Sequence, residues 1–304
     1  MTERDMPSPI TRVQSKDLKK FLDSSKKPTR IIGDIERHMM TRKVQDDRRQ
    51  DVLHPSEIIK SDWCMREAYY RILDARQGIA PPKEQPSLRL QSIFDVGHAV
   101  HAKWQGYLTE MGVLWGSWKC LECGAVTTPS PLPDHCPVCL GIVFLYRELH
   151  LFDKDLLISG STDGWIMGPE DMLLEIKSIG TGTIRTYDSA LLQNSDNNLE
   201  KAFGNIRRPF VDHRRQGQTY LRLAHHMYDH GLLERTPPEE IVFLYECKSN
   251  QAYKEFTVHY DPESVDDVFE AAADLAWAID RRKPPTCSVN RYACHACSPY
   301  KDRP

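Results

Sequence analysis

Three residues near the middle of the chain, Asp163, Glu175 and Lys177, have the types and the spacing to do chemistry together. Residues 160–177 read GSTDGWIMGPEDMLLEIK, the pattern of a β-hairpin. One strand, LLISGSTDGWI, alternates and carries Asp163, and a turn built on Gly168 and Pro169 follows. The second strand, LLEIKSI, puts Glu175 and Lys177 on one face, because strand side chains at i and i+2 point the same way. Pairing brings Asp163 beside that face, so two carboxylates and an ammonium converge. Carboxylates this close repel unless a proton or a cation separates them. With oxygen ligands the natural cation is Mg²⁺ or Mn²⁺. Lys177 then sits where an attacking water is oriented or a developing phosphate charge is neutralised. Taken alone, Asp followed at a distance by Glu-x-Lys also fits a surface hairpin with ordinary charges.

Nine cysteines are the second chemical signal, and in a cytosolic protein they point to metal rather than to disulfides. Eight sort into two sets of four. Cys120, Cys123, Cys136 and Cys139 follow C-x2-C, twelve residues, C-x2-C, the spacing of a zinc ribbon with each pair on a tight turn. Zinc can supply the folding energy that so short an insert lacks. The other set is Cys64 with Cys287, Cys294 and Cys297. Three closely spaced thiolates in the tail need a fourth ligand; His295 could complete a zinc site, and Cys64 is the better candidate. Four thiolates suit either Zn²⁺ or a 4Fe–4S cluster. Cys247, inside the apolar strand IVFLYECK, reads as a buried thiol.

The surrounding segments must position these groups. RLQSIFDVGHAVHAKWQGYLTEMG is strongly helical, with Ile93, Val96, Val100 and Trp104 as its apolar stripe. Gly97 allows close packing there, and His101, one turn later, reads as a packed residue or a ligand. A helix is also expected from Ser56 through SEIIKSDWCMREAYYRIL, with Cys64 inside it and residues 74–88 as a Pro-rich link after it. FLYRELHLFDKDLLISG gives two strands leading into the hairpin, and residues 181–210 read as a polar connection with one short helix. In the helical stretch DHRRQGQTYLRLAHHMYDHG, His213, Gln216 and Tyr220 share one face. Gln216 and Tyr220 can hydrogen-bond a substrate phosphate or the catalytic carboxylates. Arg207, Arg208, Arg214, Arg215 and Arg222 lie close in sequence with only Asp212 opposing them, a solvated face or a phosphate contact. A second hairpin, IVFLYECKSNQAYKEFTVHY, carries Lys248, a further possible substrate contact, and DPESVDDVFEAAADLAWAIDRRK is the final helix.

The totals bound the class. A chain of 304 residues makes one large domain or two small ones, and 40% hydrophobic content suffices for a core. No apolar run approaches the ~18–20 residues of a membrane span, and MTERDMPSPI lacks a signal-peptide core, so a cytoplasmic protein with no membrane partner is expected. The net charge of −3 hides an asymmetry: residues 1–50 carry +5 and the remainder −8. The basic segment reads as a charged N-terminal extension, 1–50, ahead of a domain over 51–304. Within that domain, 114–145 is the zinc-ribbon insertion and 284–304 the terminal cysteine segment.

The order of motifs SDWCMR, GHAVH, GSTD, EIK, QGQTY and the triple-cysteine tail resembles the Cas-four and AddB-type iron–sulfur nucleases. These belong to the RecB-like branch of the PD-(D/E)xK superfamily and include bacteriophage versions. The resemblance covers roughly residues 54–300. It implies an α/β fold with a mixed central sheet flanked by helices. It also implies His101, Asp163 and Glu175 as Mg²⁺ or Mn²⁺ ligands, Lys177 as catalytic, and Gln216 and Tyr220 in support. Arg214 and Arg215 are expected to contact substrate. A 4Fe–4S cluster on Cys64, Cys287, Cys294 and Cys297 is implied in the same way. The implied activity is hydrolysis of DNA, single-stranded or from a free end, in recombination, repair or end processing in a bacterial cell or phage-infected host. No G-x4-GK-[ST] motif is present, so unwinding would need a helicase or recombination partner. A non-catalytic DNA-binding subunit and an endonuclease on DNA or RNA are the other classes to separate. The ribbon and the long extension depart from the simpler relatives.

Overall fold

The computed structural model describes residues 31–41, 48–79, 86–286 and 300. The cysteines at 287, 294 and 297, and His295, lie outside the described residues. Two compact units divide the chain, one of residues 1–46 and 85–91, the other of 47–84 and 92–304. In the first, α1 (Ile32–Thr41) buries none of its residues. The second holds α2 (Pro55–Ile58), α3 (Met65–Arg76) and most of α4 (Leu88–Glu110). Six strands follow: β1 (Ser117–Cys120), β2 (Phe144–Arg147), β3 (Leu149–Asp153), β4 (Ile158–Thr162), β5 (Gly164–Ile166) and β6 (Met172–Ile179). Then come α5 (Thr181–Tyr187), α6 (Ser189–Gln193), α7 (Leu199–Asn205) and α8 (Val211–Asp229). The described chain closes with β7 (Glu240–Cys247), β8 (Tyr253–His259) and α9 (Asp266–Asp280).

The centre is a mixed sheet in the order β5-β6-β7-β8, with β6 and β7 parallel and the other two pairs antiparallel. A parallel pair needs a crossover, and α5 to α8 supply it. Alternation along β6 and β7 divides the core. Leu174, Ile176, Val242 and Leu244 pack with Val100 and Trp104 of α4 on one face. Leu173, Ile179, Ile241, Phe243 and Tyr245 join the larger core, which includes Tyr220, Leu221 and Ala224 of α8 and Leu275 of α9. Helix α8 approaches closely because residue 217 is glycine; a Cβ there would stand 2.5 Å from Phe243 Cζ. Helix α4 is pinned by buried Glu246, which accepts from Lys103 Nζ at 2.5 Å and Trp104 Nε1 at 2.6 Å.

Several expectations are corrected. Cys64 is not inside a helix: a short turn at Pro55–Ile58 ends early, and buried Cys64 is the N-cap of α3. The apolar stripe of α4 is half exposed, since Ile93 and Val96 face solvent while Val100 is buried. Val100 and Trp104 pack on the apolar sheet residues Leu174, Ile176, Val242 and Leu244, whereas the earlier turns meet the polar strand ends, Gly97 near Ser178 and the Ile93 carbonyl at Lys248. The 181–210 connection contains three short helices, not one; Asp188 and Asn198 cap two of them through Leu191 N and Lys201 N.

Candidate active site

The first strand of the expected hairpin is broken at Asp163. β3 and β4 pair antiparallel with Leu149 opposite Thr162, and β5 and β6 pair antiparallel with Gly164 opposite Leu174. Asp163 is the bend where the chain leaves one small sheet for the central one. Continuing both registers by a residue puts Glu148 level with Asp163 on one side and Glu175 level with it on the other. One backbone kink thus gathers three carboxylates.

The Asp163 carboxylate is buried and doubly engaged. Oδ1 lies 3.0 Å from His101 Nδ1, and Oδ2 accepts the Ile176 N–H at 2.6 Å. One turn beyond His101, Gln105 Nε2 donates to the Asp163 carbonyl at 2.9 Å and to Glu148 Oε1 at 3.2 Å. His101, Glu148 and Asp163 each offer a ligand atom within 4.8 Å of the others. Burial opposes a charged imidazole at His101, but the hydrogen bond and charge of Asp163, with the charge of Glu175, raise its pKa above the usual range. Burial, reinforced by the Asp163 charge, raises the Glu148 carboxyl.

Glu175 and Lys177 interrupt the apolar series on the α8 face of β6. Lys177 Nζ donates to Glu175 Oε1 at 2.6 Å and to Gln216 Oε1 at 3.1 Å. Gln216 Nε2 donates in turn to the Tyr220 hydroxyl at 3.0 Å. Tyr220 fits because residue 160 is glycine: a Cβ there would lie 3.1 Å from the ring and 2.9 Å from Pro55. Burial pushes the Glu175 carboxyl up to about 7, the Asp163 charge adds to this, and Lys177 offsets part of it. For Lys177 burial works against the charge, and Glu175 and Asp163 overcome it, so its pKa is raised. Glu175 Oε2 is buried with no hydrogen-bond partner among the described residues. Three carboxylates face one ammonium and one imidazole, one buried carboxylate oxygen is without a partner among the described residues, and such oxygen donors with one imidazole fit Mg²⁺ or Mn²⁺.

The other expected contacts divide. Arg215 pairs with Asp267 at 2.7 Å and Arg222 with Asp266 at 2.6 Å, so both are anchored to α9 and its approach rather than aimed at the carboxylates. At 100° per residue, Arg214 and Arg215 point away from the Gln216–Tyr220 face of α8. Lys248 Nζ donates to the Ile93 carbonyl at 3.2 Å and ties β7 to α4. His213 is buried, with Nδ1 2.5 Å from the Tyr245 hydroxyl. Glu148 and Gln105 are the residues that motif reading passed over. The signals were present: Gln105 is four residues after His101, and Glu148 opens the alternating LHLFD strand before GSTD.

The ribbon cysteines converge as their spacing predicts. Cys120 Sγ lies 3.6 Å from Cys139 Sγ, and Cys123 Sγ 3.6 Å from Cys136 Sγ. Each pair sits on a turn closed by a backbone hydrogen bond, Gly124 N to Cys120 O and Leu140 N to Cys136 O, both at 2.9 Å. Backbone N–H groups of Val138 and Cys139 lower the Cys136 thiol to about 7. The Gly141 N–H acts in the same sense on Cys139, but thiols shared with Cys123, Cys120 and Cys136 push it up to about 12. Four sulfurs cannot all be thiolates without a cation, and four clustered cysteines suit Zn²⁺.

No protein-family model matches the chain. No curated protein matches it either. Among solved structures, it is similar to an alkaline exonuclease from Laribacter hongkongensis at 12% identity and a TM-score of 0.39, over 77% of this chain and 91% of that one. The same exonuclease in complex with dAMP gives 14% identity and a TM-score of 0.40 with the same coverage. A structure of SSO0001 gives 14% identity and a TM-score of 0.33, over 93% of this chain and 95% of that one. Two of these three are exonuclease structures. At such scores the site has to be read from its own geometry. Among the described residues no helix is long and apolar enough to cross a membrane.

Proposed function

We propose that this protein is a metal-dependent DNA nuclease of the PD-(D/E)xK type, in its RecB-like, Cas-four/AddB form, working as an exonuclease. The observation that carries the reading is the junction at Asp163, with His101 and Glu148 on one side and the buried Glu175–Lys177 pair on the other. His101, Glu148, Asp163 and Glu175 would hold Mg²⁺ or Mn²⁺, which supplies charge to polarise a phosphodiester and ease ionisation of a water. Asp163 and Gln105 fix the imidazole and Glu148 in place. Lys177 has three N–H donors and uses two of them on Glu175 and Gln216, leaving one for a phosphate oxygen or the attacking water. Tyr220, its pKa held well above the usual phenol range by burial and by the Glu175 charge, stays protonated and keeps Gln216 oriented toward Lys177.

The same reading takes Cys64, Cys287, Cys294 and Cys297 as ligands of a 4Fe–4S cluster and the ribbon as a zinc site. Support for the first comes from the described flanks of the tail. Arg66 Nη1 donates to the Pro285 carbonyl at 3.2 Å, and the Tyr300 ring stacks on Tyr70 at 5.4 Å. Both anchors lie on α3, the helix that Cys64 caps. The substrate is DNA with a free end, and any helicase or recombination partner acts through unwinding that this chain does not perform. Linear, end-blocked circular and RNA substrates incubated side by side with Mg²⁺ or Mn²⁺ test this. Loss of linear DNA alone is expected, and cleavage of closed circles or of RNA at an equal rate overturns it.

A further inference from the structure

Around the start of α8 the surface is shaped by two adjoining hollows, of about 280 and 530 Å³. Tyr187 lines the first, Arg214 and Thr257 the second, and Arg207 and Arg208 line both. All three arginines are exposed. Among the described residues none has a carboxylate within ion-pair reach, unlike Arg215 and Arg222. The single acid in the lining, Asp188, is occupied in capping α6 through Leu191 N at 2.9 Å. His259 in the second hollow is paired with Glu240 at 2.9 Å. Helix α8 begins at Val211, which lines both hollows, and Asp212 in its first turn offsets the positive end of its dipole, so the positive field there comes from the arginines.

The hollows connect to the site through side chains in contact. Tyr187 lies against His213 at 4.9 Å between ring centroids and stacks on Phe210 at 5.2 Å. Gln216, one turn along α8 from His213, bonds Lys177. Tyr187 itself closes the helix that follows directly after β6, the strand of Glu175 and Lys177. A groove that starts at Tyr187, whose ring packs on His213 one turn from the Lys177 partner Gln216, and continues along three arginines free of ion pairs among the described residues has the charge and the direction of a backbone track.

We propose that Tyr187, Arg207, Arg208 and Arg214 form the track for the strand being cut, binding its phosphates to one side of the scissile bond. This rests on the nuclease reading and adds a subsite to it. The ligand is the sugar–phosphate backbone, so binding carries no sequence preference and weakens with salt. For a single strand the slope of log K against log salt changes by about 0.7 per phosphate contact, so losing three contacts flattens it by about 2.

The test measures binding of a fluorescent single-stranded oligonucleotide in EDTA, where no metal-dependent cleavage occurs, across a salt series. Arg207→Ala/Arg208→Ala/Arg214→Ala should flatten the slope by about 2 and weaken binding at low salt at least tenfold. The triple lysine variant should keep most of the slope, which separates charge from folding, with melting curves as a control. A slope unchanged in the alanine variant, or equally flattened in the lysine variant, overturns the track. Failure of the wild-type protein to hydrolyse DNA when metal is restored would count against the nuclease reading and leave the binding result standing.

Discussion

The Asp163 carboxylate and the His101 imidazole, 62 residues apart in the chain, meet at 3.0 Å at the point where a two-stranded sheet joins the central one. Neither partner is placed by its own element alone. His101 is positioned by α4, which Glu246 pins to β7, and Asp163 by the break between β4 and β5. The two elements hold an acid and a base together in one pocket, with Glu148 beside them.

Metal affinity should therefore depend on Glu148 as much as on Asp163. Asp163→Asn and Glu148→Gln are each expected to weaken Mn²⁺ binding at least tenfold, measured calorimetrically on folded protein without DNA. Wild-type affinity in Glu148→Gln would remove that residue from the site.

The juxtaposition of candidate residues was more legible in the sequence than their scaffold. Glu175 and Lys177 share a face because i, i+2 spacing on a strand fixes it, and the expected pairing brings Asp163 to them although it is a bend rather than a strand residue. Cys120 to Cys139 announce themselves because two tight turns fix each sulfur pair. Glu148 escaped because the alternating strand it precedes shows which residues share a face, while its place beside Asp163 depends on the register of β3 against β4. The exposed turns of α4 escaped for a similar reason: a helical stripe shows which residues align, not whether the residues beneath them are apolar or polar. The ion pair of Arg215 with Asp267 is long-range, and no local charge pattern shows it.

Acid should destabilise the fold through His213. Burial, with the Lys177 charge adding to it, lowers its pKa to about 2, so it stays neutral while the unfolded chain takes up a proton near 6.5. Its contribution is complete above pH 6.5 and declines as pH falls toward 2, by about 2 kcal/mol between pH 6.5 and 5. Urea unfolding at both pH values should show that loss in the wild type and a smaller one in His213→Gln, which keeps a hydrogen-bond acceptor for Tyr245. Equal losses would contradict it.

Cys120→Ser/Cys123→Ser should remove about one zinc per chain and leave iron unchanged, because each set of four cysteines closes its own shell. Metal analysis of purified protein decides this, and joint loss of both metals would show the sets are mixed.

Cys64→Ser should bleach the visible absorbance of anaerobically purified protein and lower its melting temperature. A full complement of four irons per chain in that variant would exclude Cys64 as a ligand.

The most direct measurement is the rate at which Lys177→Ala hydrolyses linear DNA at saturating Mg²⁺ or Mn²⁺. Lys177 is held by Glu175 and Gln216 beside the carboxylates, and in the proposed mechanism its remaining donor acts most strongly on the charge that develops in the transition state. The expected result is a loss of about a hundredfold or more in rate, with DNA affinity and Mn²⁺ affinity kept within a few-fold. Wild-type cleavage by Lys177→Ala would contradict the account.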